Sequence, residues 1–306
     1  MKKLLLLALM FSSSLAHSET VISGVLSGEI VWTAEESPYV IDEEVIIDLN
    51  STLIIEPGVY IIPKESNDWC DIYPGEGASI RLGEGALLFC IGDEGNNIVL
   101  KDISISPLYL KERIASDSHF VLPGQVIIEN TTFKNSAIFK LNLTFIGNSL
   151  EYSELSDLKD SIIEKNVFEQ SWISLDSGRA EIKNNLFIDK GNYWGIEWPF
   201  IKPFIKLPFV DNYPPTITKN TFLVTFTYAF QTRVYSSHNG DEPVPYGETF
   251  NISNNFWMTL KGKLSEEEIP GFLQDEFART KLEYLPILDV PDPETPMLEE
   301  ISQILN

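Results

Sequence analysis

Two cysteines, four methionines and three histidines are all that this chain of 306 residues contains. So few soft ligands exclude a copper-handling site, and two cysteines cannot staple a disulfide-dense scaffold. No His or Cys spacing matches a structural metal site, and no cofactor is expected. Basic residues are scarce too, 22 Lys and Arg against 45 Asp and Glu, for a net charge of −23. Such a surface repels nucleic acid, anionic lipid and polyanionic sugar alike. Apolar runs stop short of the roughly 20 residues that a membrane helix needs, so no membrane span is expected. Helical periodicity is almost absent from Val21 to Ile105, with no long helical crossovers between the strands.

The first residues hold Lys2 and Lys3, then an apolar run from Leu4 to Phe11 and a Ser-rich stretch. Ala16-His17-Ser18 offers small residues where a signal peptidase inspects the chain, so residues 1–18 read as a signal peptide cleaved before Glu19; Ser14-Leu15-Ala16 is a second possible site. Cleavage removes two basic side chains and no acidic one. The expectation is export to the periplasm or the outside of the cell, with oligomeric state open.

What the chain does contain is short strands punctuated by turns. Val25–Trp32, Tyr39–Asp48, Ser51–Ile55, Val59–Ile62, Ser79–Leu82, Ala86–Ile91 and Asn97–Ile105 cluster β-branched and apolar residues between polar or Gly-rich turns. Further on, one pattern recurs: an apolar residue, Asn three positions later, and an apolar or aromatic residue two beyond that. The copies are Phe145–Asn148–Leu150, Ile163–Asn166–Phe168, Ile182–Asn185–Phe187, Ile217–Asn220–Phe222 and Ile252–Asn255–Trp257. An earlier copy, Ile128–Thr131–Phe133, has Thr at the Asn place. First residues are 17, 18, 19, 35 and 35 apart. This period predicts a coil stacked on itself, each turn unable to bury its apolar face alone.

The reading is an all-β, single-stranded right-handed parallel β-helix, a solenoid with long side loops and a short C-terminal helical cap. It spans residues 19–290, followed by a Pro-rich tail with a short terminal helix over 291–306. Asn148, Asn166, Asn185, Asn220 and Asn255 are expected to stack as a ladder, each sitting at a bend in left-handed backbone. Cys70 and Cys90, twenty residues apart, fall on neighbouring turns about 4.8 Å apart. That distance suits a disulfide in an oxidising compartment, contributing about 3 kcal/mol. Ser265–Glu268 supplies a capping box for a helix running to about Phe277, and Met297–Leu305 sets Leu298, Ile301 and Leu305 on one helical face. Gly92–Asn97 lacks the alternating acids of a calcium loop and reads as a turn.

The 35-residue gaps are each either two short coils or one coil carrying a loop. Loop chemistry favours the second, with excursions over residues 188–215 and 231–248 that should lie side by side. Tyr193, Trp194 and Trp198 are candidates to stack on sugar rings, while Glu197, Asp211, His238 and Asp241 are weak candidates for acid and base roles.

Two stretches resemble bacterial secreted right-handed parallel β-helix proteins of the pectin-lyase-like class. One is Gly28–Pro63, with Trp32-Thr33, Ser37-Pro38-Tyr39 and the run from Thr52 to Val59. The other is Asn254-Asn255-Phe256-Trp257 followed by Ile269–Asp275 and Tyr284–Leu288. Phe256 and Met258 stand where members of the class usually carry Tyr and Gly. The acid, base and substrate-clamp motifs of the polygalacturonase-like members are absent. The resemblance implies the solenoid, and it covers proteins with and without activity. The expected function is a non-catalytic binding or scaffold module, possible partners being a glycan or a cell-surface component and not nucleic acid. The alternative is a polysaccharide lyase or glycoside hydrolase with an atypical site between the two loops.

Overall fold

The computed structural model describes residues 18–65, 77–108, 123–175, 179–190, 203–207, 214–225, 228–232, 249–274 and 281–305. The described chain is all-β: 26 of its strands belong to one large, mostly parallel sheet. Its strands fall into three ladders. The first starts at Glu29–Trp32 and runs through Leu87–Ile91, Val126–Glu129 and Asn142–Ile146 to Thr216–Thr218. The second runs from Tyr60–Pro63 through Thr131–Lys134 and Leu186–Ile188 to Phe256–Thr259. The third runs from Ala78–Leu82 through Ala137–Phe139, Trp172–Leu175 and Ile205–Leu207 to Leu273–Gln274.

Alternation along each strand decides what is buried. Position one of the sequence motif builds the column Ile128, Phe145, Ile163, Ile182, Ile217, and its third position builds Phe133, Leu150, Phe168, Phe187, Phe222, Trp257. All are at most 1 % exposed. Phe168 and Phe187 stack with ring centroids 4.7 Å apart, and Phe187 and Phe222 at 5.0 Å, so the rings repeat at the strand spacing of a parallel sheet. The buried sides of all three ladders share one apolar cluster.

The backbone passes from the first ladder to the second at the ladder asparagines. Each accepts a main-chain N–H bond one repeat earlier: Asn148 N to Asn166 Oδ1 (2.8 Å), Asn166 N to Asn185 (3.0 Å), Asn185 N to Asn220 (3.0 Å), Asn220 N to Asn255 (2.8 Å). Each Nδ2 donates to the position-one carbonyl of the previous copy, as Asn185 does to Ile163 at 2.9 Å. The left-handed residue is not the ladder Asn but the one before it: Asn130, Gly147, Lys165, Asn184, Lys219 and Asn254 all have φ between 47° and 69°. The Asn is therefore chosen for its amide, not for backbone tolerance. The corner between the second and third ladders uses serine in the same way, Ser136 N donating to Ser153 Oγ (3.1 Å) and Ser153 N to Ser171 Oγ (2.9 Å).

Several expectations are corrected. Cys90 is a free thiol, wholly buried in the first-ladder column between Ile55 and Ile128, so the Cys70–Cys90 disulfide is not formed. Its Sγ points into the core and receives the Thr131 hydroxyl at 3.7 Å; Cys70 itself lies outside the described residues. The expected helix after Ser265 is a single 3₁₀ turn, Ile269–Phe272, that gives way to a strand. Glu268 does bond the Ser265 N–H at 2.8 Å, but Pro270, two residues on, lacks the donor that would carry a helix onward. The predicted strand Val25–Trp32 is two, β1 (Thr20–Leu26) and β2 (Glu29–Trp32), parted at Gly28, where φ is +85°. β1 pairs with β3 (Tyr39–Ile47) and β2 with β4 (Thr52–Ile55).

The C-terminal helix α1 (Glu299–Leu305) docks on the outer face of the second ladder. Leu186, Ile188, Leu223, Phe256 and Met258, which point away from the main core, are buried by Ile301, Leu298 and Ile304. Ion pairs fasten the tail around them: Lys219 to Asp292 (3.3 Å), Lys165 to Glu294 (3.5 Å) and Lys190 to Glu300 (3.3 Å).

Candidate functional site

Each 35-residue gap is one repeat with insertions, because Asn185 bonds Asn220 directly and Asn220 bonds Asn255. The insertions leave from the strands of the third ladder. Residues 191–202, which carry Tyr193, Trp194, Glu197 and Trp198, precede Ile205–Leu207; residues 208–213, which carry Asp211, follow it. Residues 233–248, which carry His238 and Asp241, follow Phe230–Thr232. All seven candidate residues lie outside the described residues. Their anchor points are fixed. Leu207 and Thr232 are register partners, so the Asp211 segment and the His238–Asp241 segment depart from adjacent strands. The Trp194–Trp198 segment instead joins the opposite end of the strand Ile205–Leu207, three residues or ~10 Å away. The expectation that the excursions over residues 188–215 and 231–248 lie side by side concerns residues outside the described ones, and only these anchor points bear on it.

Between these exits lies the outer face of the third ladder. Inward positions hold Ile173, Leu175, Ile205, Leu207 and Phe230, all in the core. Alternation therefore turns Trp172, Ser174, Lys206 and Gln231 outward. Register sets Glu154 beside Trp172 on neighbouring strands, and Ser174 beside Lys206, then Gln231 and Gln274. The last two are joined by an amide–amide hydrogen bond of 2.9 Å. Towards the N-terminus the same face continues through Phe139, Ser106 and Arg81. Arg81 donates to Ser106 Oγ at 2.7 Å and to Glu44 Oε1 at 3.1 Å. Ser79, Ser104, Ser106, Ser156 and Ser174 are all buried despite facing outward.

The face thus carries amide, ammonium and aromatic groups at intervals of about 4.8 Å, its serine hydroxyls being buried. Such a row can hydrogen-bond and stack along an extended polar ligand. Among the described residues its two carboxylates, Glu44 and Glu154, are four strands apart, roughly 19 Å at that spacing, against about 5–9.5 Å for glycosidic cleavage. Glu44 is also tied up by Arg81. Sequence reading had missed Trp172. Its signal was the alternation Trp172-Ile173-Ser174-Leu175, in which buried Ile and Leu force Trp and Ser to the other side.

Other places offer less. A cavity of about 200 Å³ at the α1 seam is lined by Ile188, Lys190, Leu223, Glu300, Ile301 and Ile304. It is smaller than the usual ligand pocket of about 300–1,000 Å³. At its rim Lys190 also pairs with Glu169 at 2.8 Å, and that hydrogen bond chiefly raises its pKa. Burial pushes the Cys90 thiol up to about 12, only slightly offset by the Thr131 hydroxyl, so it is no nucleophile. Among the described residues no group of three or more His, Cys, Asp or Glu is placed to hold a metal ion, and no helix is long and apolar enough to cross a membrane. Comparison with protein-family models, with curated proteins and with solved structures gave no match.

Proposed function

We propose that the chain is an exported right-handed parallel β-helix of the pectin-lyase-like class, working as a non-catalytic binding or scaffold module. In this reading the three parallel ladders are the three walls of one solenoid, and a binding strip runs along the outer face of its third wall. The ligand class is an extended, uncharged or weakly charged glycan lying along the axis. A net charge of −23 disfavours polyuronates. The observation that carries the reading is the register of Glu154, Trp172, Ser174, Lys206 and Gln231 on one outward face. It sets an aromatic and several polar side chains at regular steps, and the two carboxylates of that face among the described residues are too far apart to cleave.

A glycan array run beside a reducing-sugar assay tests it. Binding without turnover is expected. Trp172→Ala should weaken that binding about two- to tenfold, as loss of an aromatic stacking contact does. Turnover that Glu197→Gln or Asp241→Asn abolishes would replace this reading with that of a carbohydrate-active enzyme.

A further inference from the structure

The two ends of the strand stack are treated differently. At the C-terminal end the last strand of the second ladder is covered, Phe256–Thr259 turning back on the antiparallel pair Gly262–Lys263. Thr249–Asn251 is paired by Lys281–Glu283, and the main chain from Glu283 to Leu288 bonds Ile252, Asn254 and Asn255. At the N-terminal end β1 has seven residues, pairs on one side with β3, and has no partner strand on its other side among the described residues. The stretch from Thr20 to Gly28 has no charge and no proline, although Glu19 and Glu29 flank it in a strongly acidic chain. Edge strands are normally protected by Lys, Pro or a cover. This one has Val21 57 % and Val25 60 % exposed.

We infer that β1 is a self-association edge, and that its occupant is the β1 strand of a second copy of this chain, running antiparallel. In its sequence, Thr-Val-Ile-Ser-Gly-Val-Leu, the two valines lie symmetrically about Ser23. An antiparallel pair centred on Ser23 places Val21 opposite Val25 of the second copy, and Val25 opposite its Val21. Both exposed apolar side chains then meet an apolar neighbour about 4.5–5.5 Å away, on one face, twice. β1 bends at Gly24, φ +81°, with Thr20–Ile22 lying on Tyr39–Ile41 and Gly24–Leu26 on Val45–Ile47. A twofold axis at Ser23, in the register shift between Ile22 and Gly24, maps one limb on the other, so the bent strand still fits its own copy. The association is isologous and closes at two chains.

Two measurements decide it. Light scattering on size-exclusion fractions should give about twice the chain mass as loading concentration rises. Val21→Lys/Val25→Lys should return it to one chain mass with an unchanged circular dichroism spectrum. Ser23→Cys in a Cys70→Ser background should form a disulfide-linked dimer on mild oxidation, because residue 23 faces itself across the axis; Ser302→Cys, on α1, should not. If the double lysine variant fails to fold, the Ser23→Cys cross-link still decides the matter. A monomer at every concentration, a dimer indifferent to the lysines, or equal cross-linking from positions 23 and 302 each overturns the assignment.

Discussion

Asn185 sits between two copies of itself and satisfies three main-chain groups: it receives the Asn166 N–H at 3.0 Å and donates to the carbonyls of Ile163 and Lys183, both at 2.9 Å. A leucine there would fill the space and leave these groups buried without partners, at about 1–3 kcal/mol each. Asn185→Leu should lower the free energy of urea unfolding by at least 3 kcal/mol, whereas the same change at exposed Asn142 should be nearly silent. Gln170 tests the opposite case. It takes φ 49° without being glycine, and its buried Nε2 has no hydrogen-bond partner. Gln170→Gly removes both penalties and should stabilise the fold by about 1 kcal/mol, net of the entropy that glycine costs.

The tail is the element whose attachment can be titrated. Lys263 beside Asp289 holds its carboxyl below the usual range. At Asp292 burial acts upward, but the Glu294 N–H, Lys219 and Asn184 together outweigh it and the pKa is lowered. A depressed folded-state pKa stabilises docking above the unfolded value of about 3.9 and loses that contribution as pH falls through the lower, folded value. Lys190 is raised, so its contribution persists until pH climbs past about 10.4. Proteolysis of the tail should thus accelerate below about pH 4, with little change across neutral pH. Ile301, 3 % exposed, anchors α1 in the outer cluster. Ile301→Ala should cost about 2 kcal/mol of docking and raise cleavage between residues 289 and 306, leaving the main unfolding transition in place.

At the scale of the whole molecule, charge opposes compactness. The ion pairs of the tail and walls join partly exposed side chains, each worth about 0–1 kcal/mol, while the surplus of 23 negative charges repels itself throughout. Salt near 0.5 M shortens the screening length well below the ~10 Å found at 0.1 M. Net stabilisation is expected, so the melting temperature should rise with sodium chloride; a fall would mean that the lysine pairs outweigh the repulsion.

The sequence by itself determined the strand rhythm and the apolar columns, because a side chain that must alternate in and out every two residues leaves that alternation in the order of residues. Ile163 and Phe168, or Ile182 and Phe187, can be read as buried without coordinates. The terminal helix was legible for the same reason, from Leu298, Ile301 and Leu305 at helical spacing. Only the tertiary structure decided which of two near-equivalent residues turns left-handed, for Lys165-Asn166 and Lys219-Asn220 offer no local preference strong enough to overrule the amide ladder. It also decided that Cys90 faces the core and remains a thiol, since separation along the chain says nothing about which side of a strand a residue occupies. And it alone set Glu154, Trp172 and Lys206 on one face. These residues are distant in sequence, and register between strands is a property of the pairing, not of any single segment.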